Sequence, residues 1–269
     1  MSIQPAQPQS IGGVLDTTFQ LYKASVVKLI PLSLIAALAS SPPTIYMLMN
    51  GNSLADPLAM LTMMRSPGYW LAVIATWIGS LWLMSAAFLK IGAIGAGGDL
   101  GLGSALQQSL SRLPTILLMT LLIMLALTIG FLLLIVPGLI LMVSFALCFA
   151  TALFESKGPV GALSESHRLV WGNWWRTLAI LTVGFIIVFV IYMAVSLVIG
   201  AVAPFLVLGG SDVETVLLIT LVTSLLIGVL ASLLITPFYI SMLLAIYWDL
   251  KLRKDGGDLA ARVGALNPA

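Results

Sequence analysis

Ionisable residues are scarce in this sequence. Its 269 residues hold 12 Lys and Arg, 10 Asp and Glu and one His, so that 8% are charged and 60% hydrophobic, whereas a water-soluble domain carries about 25% charged residues. So little polar surface cannot cover a soluble globule, and with a mean hydropathy of +1.13 the chain reads as an integral membrane protein. The net charge of +2, with no basic run of five or more residues, excludes nucleic acid as a partner. A lone cysteine, Cys148, excludes an internal disulfide, and together with a lone histidine it is too little for a zinc-type site. No cofactor is expected. The sequence has no G-x-S-x-G elbow and no P-loop. Its glycine-rich stretch, Gly92 to Gly103, follows an apolar segment instead of a strand and reads as a connector. A cleaved signal peptide is not expected either, because residues 1–10 lack a basic start and hold Pro5 and Pro8 where an apolar run would begin.

What is present is length without charge. A spanning helix needs about 20 apolar residues, and five intervals between ionisable residues are long enough. The third, Leu113 to Phe154, would form a helix of roughly 63 Å, about twice the hydrocarbon thickness, so it must fold back, with Pro137 and Gly138 as the expected break. Six spans follow, at about Leu29–Met49, Tyr69–Leu89, Leu113–Val136, Leu139–Phe154, Thr177–Ala203 and Thr215–Trp248. The fourth is short for a crossing and the last is long enough to require tilt or a bend at Pro237.

With both ends inside, Lys23, Lys28, Lys90, Arg112, Lys157, Arg168, Arg176, Lys251, Arg253, Lys254 and Arg262 fall on the inner side and only Arg65 on the outer, as the positive-inside rule requires. The fifth loop, with Asp212 and Glu214, is then outer. Tyr46, Tyr69 and Trp70 form one aromatic belt, and Trp174, Trp175, Tyr247 and Trp248 the other.

A short segment with helical periodicity precedes each odd-numbered span. Ile11, Val14, Leu15, Thr18, Phe19, Tyr22 and Val26 form the first stripe. The second is Leu102, Ala105, Leu106, Ser109, Leu110 and Leu113, with Ser104 and Gln107 as a capping box. The third is Val160, Leu163, His167, Val170, Trp171 and Trp174, opened by Gly158 and Pro159. Each is expected to lie at the cytoplasmic interface. Gly13, Leu15, Leu21 and Lys28 also align without a gap on Gly161, Leu163, Leu169 and Arg176. The expected fold is all-α and polytopic: six transmembrane helices as three hairpins, each preceded by a short interfacial amphipathic helix. Its repeats cover about 10–90, 101–155 and 158–250 within one transmembrane domain, 10–254, flanked by a disordered tail at 1–9 and a cytoplasmic tail at 255–269.

The opening Gly13-Val-Leu-Asp16-Thr-Thr-Phe19-Gln-Leu-Tyr22 resembles the start of bacterial six-helix inner-membrane proteins related to the membrane domain of glycerophosphoryl diester phosphodiesterase. Val136-Pro137-Gly138 through Glu155, then Ala162-Leu163, Ser166, Arg168-Leu169, Gly172 and Trp174-Trp175-Arg176 resemble the central segment of the same group. The resemblance implies a bacterial cytoplasmic membrane. It carries over no catalysis, which in those phosphodiesterases belongs to a separate soluble barrel.

No span holds an ionisable residue at mid-depth, which disfavours a proton- or ion-coupled carrier. The prolines at 31, 42, 43, 137, 204 and 237 read as tolerated kinks, and Ala72, Thr76 and Ser80 as a small-residue packing face. The remaining candidates sit on the cytoplasmic face: Glu155, His167, Arg168 and Arg176. An ion pair from Glu155 to Arg168 or Arg176 would tie the following loop to the bundle, and His167 beside Arg168 could meet a lipid headgroup. Asp249, among Lys251, Arg253 and Lys254, reads as a solvated helix end. An enzyme acting through Glu155, His167 and Arg168 is disfavoured, since no second acid, nucleophile or metal site accompanies them. The leading expectation is a non-enzymatic membrane scaffold that interacts with the lipid bilayer, with membrane-protein partners or with phospholipid headgroups. The alternative is a passive conduit or a transporter of lipids or small molecules between the three hairpins.

Overall fold

A computed structural model describes residues 2–50, 61–62, 64–201 and 213–266. All regular structure among them is helical, and six helical stretches are long and apolar enough to cross a membrane. The expected outer-loop acid Asp212 lies outside the described residues, as do the side chains of Glu214 and Arg262.

Helix α1 (Ile11–Ala39) starts where the Ser10 hydroxyl accepts the Gly13 N–H, and runs through Pro31. The expected interfacial helix and the first part of the expected span, to Ala39, are therefore one unbroken rod of roughly 43 Å, because nothing between Gly13 and Pro31 interrupts the ladder. It continues after a turn at Ser40 into α2 (Pro42–Asn50). Helix α3 (Pro67–Gly95) has Ser66 as its cap and Pro67 in its first turn, where a missing N–H costs nothing. Helix α4 (Leu102–Leu133) likewise absorbs the second expected interfacial segment. It begins at Leu102 behind Gly101, so Ser104 lies inside the helix and the expected capping box does not form.

The fold-back comes three residues earlier than Pro137. One extended residue, Leu134 (φ −167°, ψ 156°), separates α4 from α5 (Ile135–Ser144). Pro137 sits in the first turn of α5, where its lack of a donor is harmless. Gly138 serves close approach: a Cβ on Gly130 would lie 3.1 Å from the Gly138 Cα, and a Cβ on Gly138 only 2.5 Å from the Phe131 ring.

A kink at Phe145–Leu147 divides α5 from α6 (Cys148–Phe154), and together they form the fourth span, Ile135–Phe154. The cause of the kink is a side chain entering the helical ladder. The Ser166 hydroxyl donates to the Ser144 carbonyl (2.7 Å) and accepts the Leu147 N–H (3.2 Å).

Ser166 belongs to α7 (Pro159–Val170), which Gly158 and Pro159 open as expected. Its expected stripe is divided between the bundle and the outside. Ala162, Glu165, Ser166, Leu169 and Val170 are buried, while Val160, His167 and Trp171 are exposed. In a membrane, large apolar groups gain nothing by leaving lipid, and small residues make the helix contacts. Gly172, at φ +93°, separates α7 from α8 (Trp174–Gly200).

The last helix, α9 (Val213–Leu266), carries Pro237 within it. From Phe238 to Leu250 nearly every side chain is buried, whichever way it points. A helix apolar all round is a central one, and this half of α9 is the column on which the others pack. Phe19 and Tyr22 of α1 meet Phe238, the Trp248 ring lies on Gly95 of α3, and Met242 reaches Gly184 of α8. Tyr46, Tyr69 and Trp70 of the first expected belt cluster at one end and Trp174 packs against Trp175 at the other, whereas Tyr247 and Trp248 of the second are buried within the bundle.

At the N-terminus Ile3 and Gln4 donate backbone N–H groups to the Gly95 carbonyl, which ties this part of the expected tail to the bundle. At the other terminus α9 remains helical to Leu266, through most of the expected 255–269 tail.

Candidate functional site

The ion pairs among the described residues fall into three groups. In the first, Asp99 between α3 and α4 receives Lys28 at 3.1 Å and Lys90 at 3.5 Å. Lys90 is buried and also donates to the Leu100 carbonyl. The hydrogen bond from Lys28 lowers the Asp99 carboxyl below its ordinary range.

The second group centres on Glu155, which follows α6. It accepts Tyr247 Oη at 2.9 Å, Lys251 Nζ at 3.0 Å and Lys157 Nζ at 3.1 Å. Burial alone would raise this carboxyl, but the hydrogen bonds from Lys251, Lys157 and Tyr247 hold it below the usual range. Lys157 bridges on to Glu165 at 2.6 Å, which Arg168 also clasps through Nε and Nη2. The Arg168 hydrogen bond outweighs burial and brings Glu165 down to about 2.

The third group is the tightest. Asp249 is 1% exposed, accepts Arg176 Nη2 and Arg253 Nε at 3.0 Å each, and receives the Gln9 backbone N–H at 2.7 Å. The Gln9 carbonyl in turn accepts both guanidiniums. The N-terminal segment, the start of α8 and the end of α9 are thereby joined through one buried carboxylate.

This arrangement revises the expected contacts. Glu155 takes its ion pairs from lysines on α9 and in its own loop, while Arg168 pairs with Glu165 and Asp255 and Arg176 pairs with Asp249. Asp249 is the buried hub and no solvated end. Glu165 and Gln9 were missed, although the three-residue spacing of Glu165 to Arg168 is a legible helix pair. His167 stands apart from the ion pairs and stacks on Trp171 at 5.0 Å. A carboxylate with three donors and a depressed pKa is a poor proton acceptor, so Glu155 is built to tie and not to take a proton. Among the described residues no group of His, Cys, Asp and Glu could hold a metal.

Beside the hub an open cleft of about 690 Å³ runs between the start of α5, at Val136 and Ile140, and the segment Trp171 to Arg176. Trp174 Nε1 points at the Ile140 carbonyl, 3.4 Å away. A second, smaller cleft of about 210 Å³ lies between α1, α3 and α9, with Ser33, Ser80, Ser232 and Thr236 in its lining. Ser80, expected on a packing face, thus lines a gap.

Residues 66–242 match the family model described as "Domain of unknown function (DUF7847)". A UPF0259 membrane protein of Photorhabdus laumondii is 29% identical over 101 residues, which is 38% of this chain and 40% of that protein. The chain thus spans about two fifths of the length of this curated relative. No solved structure matches.

Proposed function

The chain belongs to the DUF7847 family, a family of membrane proteins without a catalytic description, and from that premise we propose a non-catalytic scaffold of the bacterial cytoplasmic membrane that holds lipid or protein partners. In this reading both termini and the three ion-pair groups lie on the cytoplasmic side, which the positive-inside rule supports, since that orientation puts eleven of the twelve basic residues there. A relation to the membrane domain of glycerophosphoryl diester phosphodiesterase is part of the same reading.

One observation carries it: the inner half of the bundle is filled by α9 from Phe238 to Leu250 and cross-tied by Asp249 and Glu155. A filled column at that level supports a platform over a conduit. The competing conduit reading draws on the hydroxyl-lined cleft at Ser33, Ser80, Ser232 and Thr236, which the same column closes towards the charged end. Liposomes loaded with small neutral and anionic solutes separate the two. The scaffold gives no efflux above empty liposomes, whereas efflux that Ser80→Leu abolishes would establish the conduit. Orientation has its own check in a reporter fused after Ala269, and periplasmic activity would overturn the arrangement of both termini.

A further inference from the structure

A trough follows the cleft beside the hub along the same two helices. Ile140 lines the cleft and Val143 the trough one turn further along α5, and Trp174 and Leu178 stand in the same relation along α8. The trough measures about 480 Å³ and is walled by Met142, Val143, Leu181, Phe185 and Tyr239, well within the roughly 300–1,000 Å³ of small-molecule pockets. The seam therefore has a polar mouth and an apolar floor.

The mouth is aromatic and positive. Trp171 and Trp175 are exposed, Trp175 by 78%, and indole rings of this kind seat at headgroup depth. Arg176 uses Nε and Nη2 on Asp249 and Gln9 and carries Nη1 besides. Around the mouth Arg176 and Arg253 share the buried Asp249, Asp255 is engaged by Arg168, and Lys254 reaches the Trp171 carbonyl at 2.9 Å. The surplus is cationic. Helix α8 also begins here, with the unpaired first-turn N–H groups that every helix start presents. Among the described residues lining the trough, the polar side chains are Thr182 and Tyr239, and Thr182 returns its hydroxyl to the Leu178 carbonyl.

We propose that the α5–α8 seam is a site for one anionic glycerophospholipid of the leaflet at the charged end, its phosphate between Asn173 and Arg176 and one acyl chain in the trough. This rests on the lipid-holding part of the reading above and names its ligand. A free phosphate would satisfy the mouth alone. The apolar trough that follows it commits the site to a lipid, and the cationic surplus commits it to an anionic one.

Two variants test the two halves without touching the hub. Asn173→Asp leaves a favoured capping residue before α8, with its carboxylate at the positive end of the helix, yet puts negative charge where the phosphate would sit. Thr182→Trp fills the trough from an exposed position. The full-length protein in neutral detergent is titrated with phosphatidylglycerol, with phosphatidylcholine and with glycerol 3-phosphate, and bound lipid is counted by native mass spectrometry. Wild type should retain one phosphatidylglycerol in preference to phosphatidylcholine and show no adduct with glycerol 3-phosphate. Each variant should bind the lipid at least about tenfold more weakly, a difference of about 1.4 kcal/mol, with its melting temperature in detergent alone unchanged. Equal retention of both lipids, equal binding by the variants or an adduct with glycerol 3-phosphate would overturn the site. None of these outcomes bears on solute efflux, so the scaffold reading stands or falls separately.

Discussion

The hydroxyl of Ser166 lies 2.7 Å from the carbonyl oxygen of Ser144 and bonds to it as donor, while it accepts the Leu147 N–H at 3.2 Å. One side chain of α7 thereby takes over backbone bonds of the fourth span at its kink. Ser166→Ala removes both partners from buried backbone groups, at a cost of about 1–3 kcal/mol for each one left unsatisfied. The expected result is a clearly lower melting temperature of the detergent-solubilised protein. An unchanged melting temperature would mean that the kink closes its own bonds without the hydroxyl.

Asp249 calls for a different comparison. Asp249→Asn leaves the Arg176 and Arg253 guanidiniums facing each other across a buried amide. Breaking a fully buried pair costs about 3–5 kcal/mol; Arg253 is partly exposed, so a loss nearer the lower end is expected. Gln9→Ala should cost far less, because Gln9 meets the hub through its backbone and its side chain only accepts the Thr17 hydroxyl. Thermal melts of the two variants side by side check the order. A Gln9→Ala loss as large as that of Asp249→Asn would show that the side chain, and not the main chain, anchors the segment.

Glu165 gives a pH dependence of defined sign. Its carboxyl titrates at about 2 in the folded protein against an ordinary value of 4.5, so the folded state favours the ionised form. This stability is present in full above about pH 4.5 and is lost as the pH falls towards 2. Glu155, held below its usual range by Lys251, Lys157 and Tyr247, adds loss in the same direction. Melting temperatures measured from pH 6 down to pH 3 should fall, and Glu165→Gln should flatten the slope while lowering the plateau at pH 6. A slope unaltered by Glu165→Gln would assign the acid sensitivity elsewhere.

The spans were legible in the sequence because hydrocarbon thickness sets a length and charge is excluded from it. Contacts between helices were not. Ala162 and Ser166 of α7 make its hydrogen-bonded contacts with α6 and α5, while Val160 and Trp171 of the expected stripe face away. Asp249 looked solvated because its neighbours in sequence are basic. Its burial depends on Arg176 and on the Gln9 backbone, partners that lie far away along the chain. The break at Pro137 was displaced for a similar reason, since proline suits the first turn of a new helix better than the bend before it.

Gly79 in α3 and Gly130 at the α4–α5 hairpin offer a test in which one substitution type has opposite signs. Glycine inside a helix costs roughly 0.5–1 kcal/mol relative to alanine, so Gly→Ala in a helix stabilises wherever the methyl group finds room. At Gly79 a Cβ would meet nothing within 4 Å, and Gly79→Ala should raise the melting temperature slightly. At Gly130 the Cβ would lie 3.0 Å from Leu141 and 3.1 Å from the Gly138 Cα, and backbone cannot step aside as a flexible side chain can. The two helices would have to part, with an overpacking cost of about 1–3 kcal/mol that exceeds the propensity gain. Gly130→Ala should therefore lower the melting temperature. A rise at both positions would mean that α4 and α5 are not held in close contact by their glycines.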